Sequence, residues 1–543
     1  MFLSSSAFRS KSIHKVPIMS VRLLPYLVFA AVFAGCDISD RGFARLDSPL
    51  SVTVDGRDAA GEVELGADGV ITIDCPRPFS RVVLEWPLEI PAEAKMHGSE
   101  FERTYGDNGW YAPGQGPRGG EMPWYCMIAH GGRVDGYGVA VQPNVFASWR
   151  AGSGRLTLSL DCRAGSGPVE LGGRTLKACR LVSRKGLKGE NAFAAGREFC
   201  RMMCPSPRLP VGPVYGYNDW YCAYGRNTAS NFLADAAFIV SLVEGEKVRP
   251  YIVVDDGWQL GKQGTAPAKA RNRWTGSNEK WGMPMDELAR RIRAMDARPG
   301  LWYRPFLPDD GLKNEGIPVD PTAEGLEARI RADIARFVEW GYEMLKIDFI
   351  TFDWCGTWGM DYASSPVVRG DLPVWRDRSR TSAEVVKGLY AAMREAAGDK
   401  AVIIGCNALD HFAAGLFELQ RTGDDTSGRE WERTRKMGPN TLGMRAVHDG
   451  IFYRVDGDCF GLSEAGAVAA EKNLQWLDLI ARSGTALFVS WKRELTTPES
   501  REALERALRR AARVQPLGEP LDWQETLRPA QWRFGEETVE YRW

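Results

Sequence analysis

After the proline-rich stretch CPSPRLPVGP the chain repeats one grammar eight times: a short β-like run, a loop and, in most repeats, a segment of helical periodicity. The β-like runs are PVYGYND, RPYIVVDDG, RPGLWYRPF, EMLKIDFI, KAVIIGCN, LFELQRTGDD, DGIFYRVDGD and TALFVSW. Between them lie ASNFLADAAFIVSLVEG, MDELARRIRAMDA, GLEARIRADIARFVEWG, SAEVVKGLYAAMREAAG and EAGAVAAEKNLQWLDLIARSG. Strands joined through helices run parallel, because each helix returns the chain to the edge where the previous strand began. Eight such units predict a (β/α)8 TIM barrel over residues 210–514.

One strand carries an apparent contradiction. In MLKIDFI, Lys346 and Asp348 interrupt an apolar run, and their spacing of two puts them on one face, while Leu345, Ile347 and Phe349 take the other. Buried charges are stable only in a tight ion pair or beside a wet pocket, so the heptapeptide alone leaves a structural salt bridge and an active site equally open. The other strands favour a site. Asp219 ends the first, Asp255 and Asp256 the second, Lys346 and Asp348 the fourth, and Asn407 the fifth. Asp424 and Asp425 end the sixth, and Asp456 and Asp458 the seventh. All fall at the C-terminal rim, where barrels of this kind assemble their active sites.

This set narrows the chemistry. The chain has 5 His and no H-x-x-x-H spacing, which excludes a His-based metal site, and it has no G-x-S-x-G elbow. Carboxylates alone could hold Mg²⁺ or Ca²⁺, but Lys346 and Arg421 stand among them and repel a divalent cation. A carboxylate pair with cationic and aromatic neighbours suits glycoside hydrolysis, in which one acid attacks and the other donates a proton. Neither metal nor organic cofactor is expected. A formal net charge of -1 gives no electrostatic case for nucleic acid; the basic stretch REALERALRRAARV at 501–514 reads as a solvated amphipathic helix.

The chain reads as multidomain. Residues 42–205 hold LSVTVDG, GVITIDC, RVVLEWPL, PWYCMIAH, YGVAVQP and GRLTLSLDC, with period-two alternation and turns between them, and no convincing amphipathic helix. They predict an N-terminal antiparallel β-sandwich. GQGPRGG formally matches G-x-G-x-x-G but neither follows a strand nor opens a helix, so it carries no dinucleotide reading. Residues 515–543 predict a short C-terminal β appendage. At the other end, MSVRLLPYLVFAAVFAGC has the layout of an export signal with a lipobox, its apolar core too short to span a bilayer. Residues 1–36 are therefore expected to be a signal peptide, with Met19 the functional start, cleavage before Cys36 and lipidation of Cys36. An exported chain anchored to a cell-envelope membrane follows. The remaining cysteines form no C-x-x-C and are expected to be mostly buried free thiols.

Four of the motifs, GYNDW, VVDDGWQ, MLKIDF and RTGDD, taken in strand order, resemble the signatures of the clan D α-galactosidases, glycoside hydrolase families 27 and 36, with family 36 the nearer. GLWYRP is similar to a strand-three motif of family 36, and ERTYGD and VQPNVFASW to segments of the sandwich that precedes its barrel. The resemblance runs from about residue 100 to 510. It implies a retaining double displacement on a terminal α-linked galactose of oligosaccharides or polysaccharide side chains, with Asp348 the nucleophile and Asp425 the acid/base. It also implies that Asp255 and Asp256 bind the 4- and 6-hydroxyls, Lys346 the 3- or 4-hydroxyl and Arg421 the 2-hydroxyl. Trp220 and Trp258 would be apolar walls and Asp458 a supporting carboxylate. Asn407 stands where family 27 has an acidic residue near the 2-substituent, leaving a 2-hydroxyl and a 2-acetamido group both open. Arg304 stands where family 36 often has Glu.

Elementary electrostatics adds three expectations. Lys346 favours the ionised form of Asp348. Asp425 must keep a proton near neutral pH, which crowding by other carboxylates encourages. Arg421 and Asp425, four apart, share a face, so Asp424 should point aside. An α-N-acetylgalactosaminidase, a transglycosylase and a non-catalytic carbohydrate-binding lipoprotein remain as alternatives on the same scaffold. A homo-oligomer is also left open.

Overall fold

The eight expected strands close into one parallel barrel in a computed structural model of the chain, which describes residues 43–59, 61–260, 273–307, 319–356, 374–462 and 466–543. The strands are Tyr215–Asn218, Tyr251–Val254, Arg298–Tyr303, Met344–Ile347, Val402–Gly405, Leu419–Arg421, Arg454–Leu462 and Ala486–Trp491. Each pairs with the next, and the last with the first. Tyr251–Val254, Met344–Ile347 and Ala486–Trp491 are buried along their whole length, as parallel strands must be when helices cover one face and packed side chains fill the other.

The expected helices form at Ala229–Leu242, Met285–Ala294, Leu326–Glu339, Ser382–Ala397 and Ala470–Arg482. A capping box between Thr381 and Glu384 opens the fourth of these. The basic segment near residue 500 is the helix Pro498–Ala511, which buries Leu504, Ala507, Leu508 and Ala511 and turns its arginines outward. Regular alternation loosens after the fifth and sixth strands. Only Asp410–Ala413 follows the fifth, and the sixth leads into Trp431–Arg435, a π-helical turn Lys436–Asn440 and Thr441–Arg445. Gly423 permits that approach, because a Cβ there would sit 2.0 Å from the Met437 carbonyl oxygen.

The seventh strand runs further than its sequence suggests, with a bulge between Asp456 and Cys459 at which Asp458 takes a φ of 71°. Asp456 and Asp458 therefore lie buried within the strand instead of ending it at the rim.

Upstream, two six-stranded sheets with antiparallel pairing form the sandwich. Arg81–Pro87 and Arg155–Asp161 are central in one sheet, Arg133–Val139 and Leu176–Arg184 in the other. Val82, Leu84 and Trp86 face inward opposite Leu160, Leu158 and Leu156, the alternation read from the sequence. Tyr137 and Trp149 meet across the sheets with ring centroids 6.5 Å apart.

One reading is corrected here: residues 42–205 do contain an amphipathic helix, Ala192–Met203, capped by Asn191. It buries Phe193, Gly196, Phe199, Cys200 and Met203. It can lie on the strand Arg133–Val139 because Gly136 and Gly138 leave room for the Phe199 and Met203 side chains. Gly138 belongs to the strand read from YGVAVQP, and with Gly136 it makes the bed for the helix.

The C-terminal residues form a three-stranded sheet, Glu519–Pro520, Gln531–Phe534 and Glu537–Glu540. Trp523, beside it, packs on His97, Trp110 and Phe193 of the upstream region. All ten cysteines among the described residues are free thiols, nine of them buried. The signal segment and Cys36 lie outside the described residues, and no helix among the described residues is long and apolar enough to cross a membrane.

Candidate active site

At the C-terminal rim of the barrel is a cavity of about 450 Å³ lined by Trp220, Asp255, Asp256, Lys346, Asp348, Arg421 and Asp425, together with Arg103, Tyr105, Trp302, Phe349, Asp424 and Arg433. Seven of the ten residues proposed from sequence as catalytic or substrate-binding therefore share one hollow. A larger groove of about 600 Å³ lies between the helices Ala470–Arg482 and Pro498–Ala511 and the C-terminal residues, far in sequence from every rim carboxylate.

The Lys346–Asp348 contradiction resolves into two separate partnerships. Lys346, in register with Trp302 of the neighbouring strand, donates its Nζ proton across the barrel to Asp255 Oδ2 at 2.7 Å. The same oxygen accepts from Asn218 Nδ2 at 2.6 Å, while Oδ1 accepts the Asp256 backbone N–H at 2.8 Å. Asp255 is thus saturated by protein donors. Asp256 is half-buried and accepts from Gln259 at 2.7 Å. Behind this pair, Asp219 accepts the Asp255 backbone N–H and the Asn227 amide, each at 2.8 Å. Burial and the Asp255 charge push its carboxyl up to about 7.

Asp348 sits just past the fourth strand, half-buried and facing the cavity. Phe349 adopts a left-handed φ of 60°, and its backbone N–H donates to Asp348 Oδ1 at 2.8 Å. Trp302 Nε1–H donates to Oδ2 at 3.0 Å. Burial alone would raise this carboxyl, but Arg103, then Lys346, the Trp302 bond and Arg421 outweigh it and hold it below the usual carboxylate range. The expectation about Lys346 holds, although Arg103 contributes more.

Arg421 is the centre of the opposite wall. Its guanidinium donates to Asp425 Oδ1 at 2.8 Å and to Cys406 Sγ at 3.2 Å, and lies 3.0 Å from Asp458 Oδ2. Burial pushes the Cys406 thiol up to about 12, so the sulfur stays neutral. Asp458 also accepts from Tyr221 and from Thr426 N–H at 2.7 Å; it braces Arg421 from beneath and does not line the cavity.

Four expectations fail. Burial raises the Asp425 carboxyl, but Arg421, Arg103 and Arg433 more than reverse it, so Asp425 is held well below the carboxylate range instead of keeping a proton. Asp424 does not point aside: it lines the cavity, with Arg103 at 3.1 Å and Arg433 on its other oxygen. Trp258 is fully buried, donates its Nε1–H to the Trp302 carbonyl at 2.9 Å and packs on Trp274, Phe337 and Trp340. It supports Trp302, which forms the wall in its place. Asn407 is likewise fully buried, bonded to Glu102, Thr351 and the Tyr105 hydroxyl rather than open to a ligand.

The residues missed by sequence reasoning were Arg103, Tyr105, Trp302, Phe349 and Arg433. GLWYRP and ERTYGD had already singled out three of them, but without a fold nothing connects residue 103 to the barrel rim. Arg304, the departure in GLWYRP, pairs with Asp353 at 2.5 Å and its guanidinium lies 4.2 Å from the centre of the Phe349 ring, so it backs the Asp348–Phe349 turn. Acids and cations interleave throughout, and no group of three or more His, Cys, Asp or Glu among the described residues is arranged to hold a metal ion.

No protein-family profile and no curated protein matches the chain. Solved structures do. The α-galactosidase TtGalA of Thermus thermophilus, in complex with p-nitrophenyl α-D-galactopyranoside, superimposes with a TM-score of 0.57 at 19% identity, covering 90% of this chain and 96% of that one. The family 36 α-galactosidase AgaA of Geobacillus stearothermophilus gives 0.56 at 13% identity, over 86% of this chain and 69% of that one. An α-galactosidase from Lactobacillus brevis gives 0.52 at 13% identity, over 81% and 63%. At these identities the likeness establishes the shared fold, a β-sandwich followed by a (β/α)8 barrel.

Proposed function

We propose that the chain is a retaining glycoside hydrolase. Within that class we read it as α-galactosidase-like, removing terminal α-linked galactose from oligosaccharides or polysaccharide side chains. The observation that carries the reading is that an ionised Asp348, held by two N–H donors, faces the same cavity as Asp425. The fold shared with α-galactosidases, one of them holding an aryl α-galactoside, supports the choice of sugar.

In this reading Asp348 attacks the anomeric carbon and Asp425 protonates the departing oxygen; Asp425 then takes a proton from the water that releases the sugar. Trp220 and Trp302 flank the ring. Asp256 and Lys346 meet its hydroxyls, while Asp255 acts chiefly by holding Lys346. Asp425 can carry a proton only when it is released from Arg421. Arg421 keeps Asp458 at 3.0 Å, so a sugar hydroxyl can displace Asp425 without leaving the guanidinium uncompensated. The N-terminal signal pattern supports an exported enzyme held at a membrane by Cys36.

The test is turnover of aryl α-galactosides by Asp348→Gly. Activity should vanish and partly return with azide as the β-galactosyl azide, because azide replaces the missing nucleophile. Near-full activity without azide removes Asp348 from the mechanism. A panel of aryl glycosides differing in sugar and anomer tests the galactose assignment, and an acetamido substrate the alternative.

A further inference from the structure

The cations around the two reacting carboxylates come from the barrel, with one exception. Arg103 belongs to the ERTYGD loop of the upstream sandwich, yet it lines the cavity with only 6% of its surface exposed. We infer that Arg103 is a positioning residue for the reaction proposed above, on which this inference rests: it clamps the Asp424–Asp425 turn and delivers a fixed cation from outside the barrel to the cavity that Asp348 and Asp425 face.

The clamp is built from both sides. Thr104 N–H donates to the Thr422 carbonyl at 2.8 Å, and Asp424 N–H donates back to the Thr104 carbonyl at 3.2 Å, so the loop prolongs the sixth strand by a short parallel bridge. Arg103 Nη2 then lies 3.1 Å from Asp424 Oδ1, and Nε donates to the Tyr105 hydroxyl at 2.7 Å. That hydroxyl also accepts from Asn407 Nδ2 at 3.2 Å. The fully buried Glu102 accepts from Thr351 and from Asn407 at 3.0 Å, tying the loop to the ends of the fourth and fifth strands. Arg445 reaches the Glu102 carbonyl at 3.2 Å from behind. The guanidinium is thus held by Asp424 and the Tyr105 hydroxyl on a loop that is itself tied to three barrel segments.

The charge reaches both reacting groups. Asp348 is faced by Arg103, Lys346, Arg421, the neutral Cys406 and, from the helix that follows it, Asp353, which is paired with Arg304. After burial, Arg103 has the largest influence on it. Asp425 is faced by Arg421, Arg103, Arg433 and the Tyr221 and Tyr224 hydroxyls, and there Arg103 stands second only to Arg421 among the charges. Removing Arg103 raises both carboxyls. The form with Asp348 ionised and Asp425 protonated then exists at higher pH, so both limbs of the pH–rate profile move up together.

The experiment compares kcat against pH for the full-length protein and its Arg103→Gln, Arg103→Lys and Tyr105→Phe variants on an α-galactoside with a poor leaving group, which needs the Asp425 proton; kcat reports both carboxyls with substrate bound, when Asp425 is released from Arg421. Arg103→Gln should move both limbs up by about one pH unit. Arg103→Lys should lower the rate but leave the limbs in place, because the charge survives and the two-sided clamp does not. Tyr105→Phe should behave like Arg103→Lys. Limb positions do not depend on the fraction of folded protein, and Arg103→Met, neutral and free of hydrogen-bond requirements, gives the same reading if the Gln variant does not fold. Unmoved limbs in the neutral variants overturn the inference, as do limbs that move equally in Arg103→Lys. If Asp348→Gly keeps its activity, the functional reading falls and takes this inference with it. If Asp348→Gly is dead and rescued by azide while the limbs stay fixed, the inference alone falls.

Discussion

Removing the Lys346 ammonium while keeping its stem, as Lys346→Met, isolates the ion pair at the bottom of the cavity. The Nζ–Oδ2 separation is 2.7 Å, which at an effective dielectric of about 20 corresponds to a gross attraction of about 6 kcal/mol. Desolvation of both groups offsets part of that, but the desolvation of Asp255 is not recovered when only Lys346 is removed. Asp255 keeps its two N–H donors and gains no new cation, and Asp219 lies behind it. The expected loss is therefore about 3–5 kcal/mol, the range for breaking one side of a buried pair. Methionine fills the space of the lysine stem, so little of this is cavity. Urea unfolding followed by tryptophan fluorescence measures it, alongside Asp255→Asn and the double variant. The cycle should give a coupling of about 2–3 kcal/mol, with the double variant more stable than the single costs predict. A Lys346→Met cost under about 1 kcal/mol, or costs that simply add, would refute the claim that the pair is a coupled, desolvated unit.

Two further outcomes follow from the carboxylates. Asp425→Ala should slow substrates with poor leaving groups by roughly 10²–10⁴-fold and activated aryl galactosides far less, since only the former need a proton from the enzyme; equal losses on both would assign Asp425 another role. Asp219 has its carboxyl raised to about 7 from an ordinary 3.8, so its contribution to stability is present below the lower value and is lost as pH rises through the upper one. Asp219→Asn keeps one acceptor where two N–H donors now converge, so it should lower the melting temperature below pH 3.8, and the deficit should shrink as pH rises through 7 and the wild-type carboxyl ionises; a deficit that does not change with pH would refute the shift.

The fold was legible because helices with one apolar stripe repeat over roughly ten or more residues, whereas VVDD, MLKID and VIIGC are short apolar runs, rich in β-branched residues and bounded by turn signals, that alternate with them. The helix Ala192–Met203 was missed because its turn of apolar residues lies among strands, and the features that make room for it, Gly136 and Gly138, sit about sixty residues upstream. At the site, the residues at strand ends were legible because the barrel gives every such position the same rim. Trp258 and Asn407 failed for the opposite reason: they follow strand ends in sequence, but the chain turns them under the cavity floor, where Trp302 and Tyr105 cover them.

The sequence by itself determined the order of elements and the face on which Lys346 and Asp348 lie, since strand geometry alone dictates which side chains share a side. Only the tertiary structure decided their partners and their charge state. Lys346 meets Asp255 from another strand, Asp348 meets Trp302 and Arg103, and Asp425 meets Arg421 and Arg103. Electrostatic energy depends on distance through space and on the water excluded between groups, and neither quantity is encoded in spacing along the chain. A carboxylate expected to hold a proton thus becomes one held ionised, chiefly because the fold turns the Arg421 guanidinium onto it and next because a loop more than three hundred residues away brings Arg103 to it.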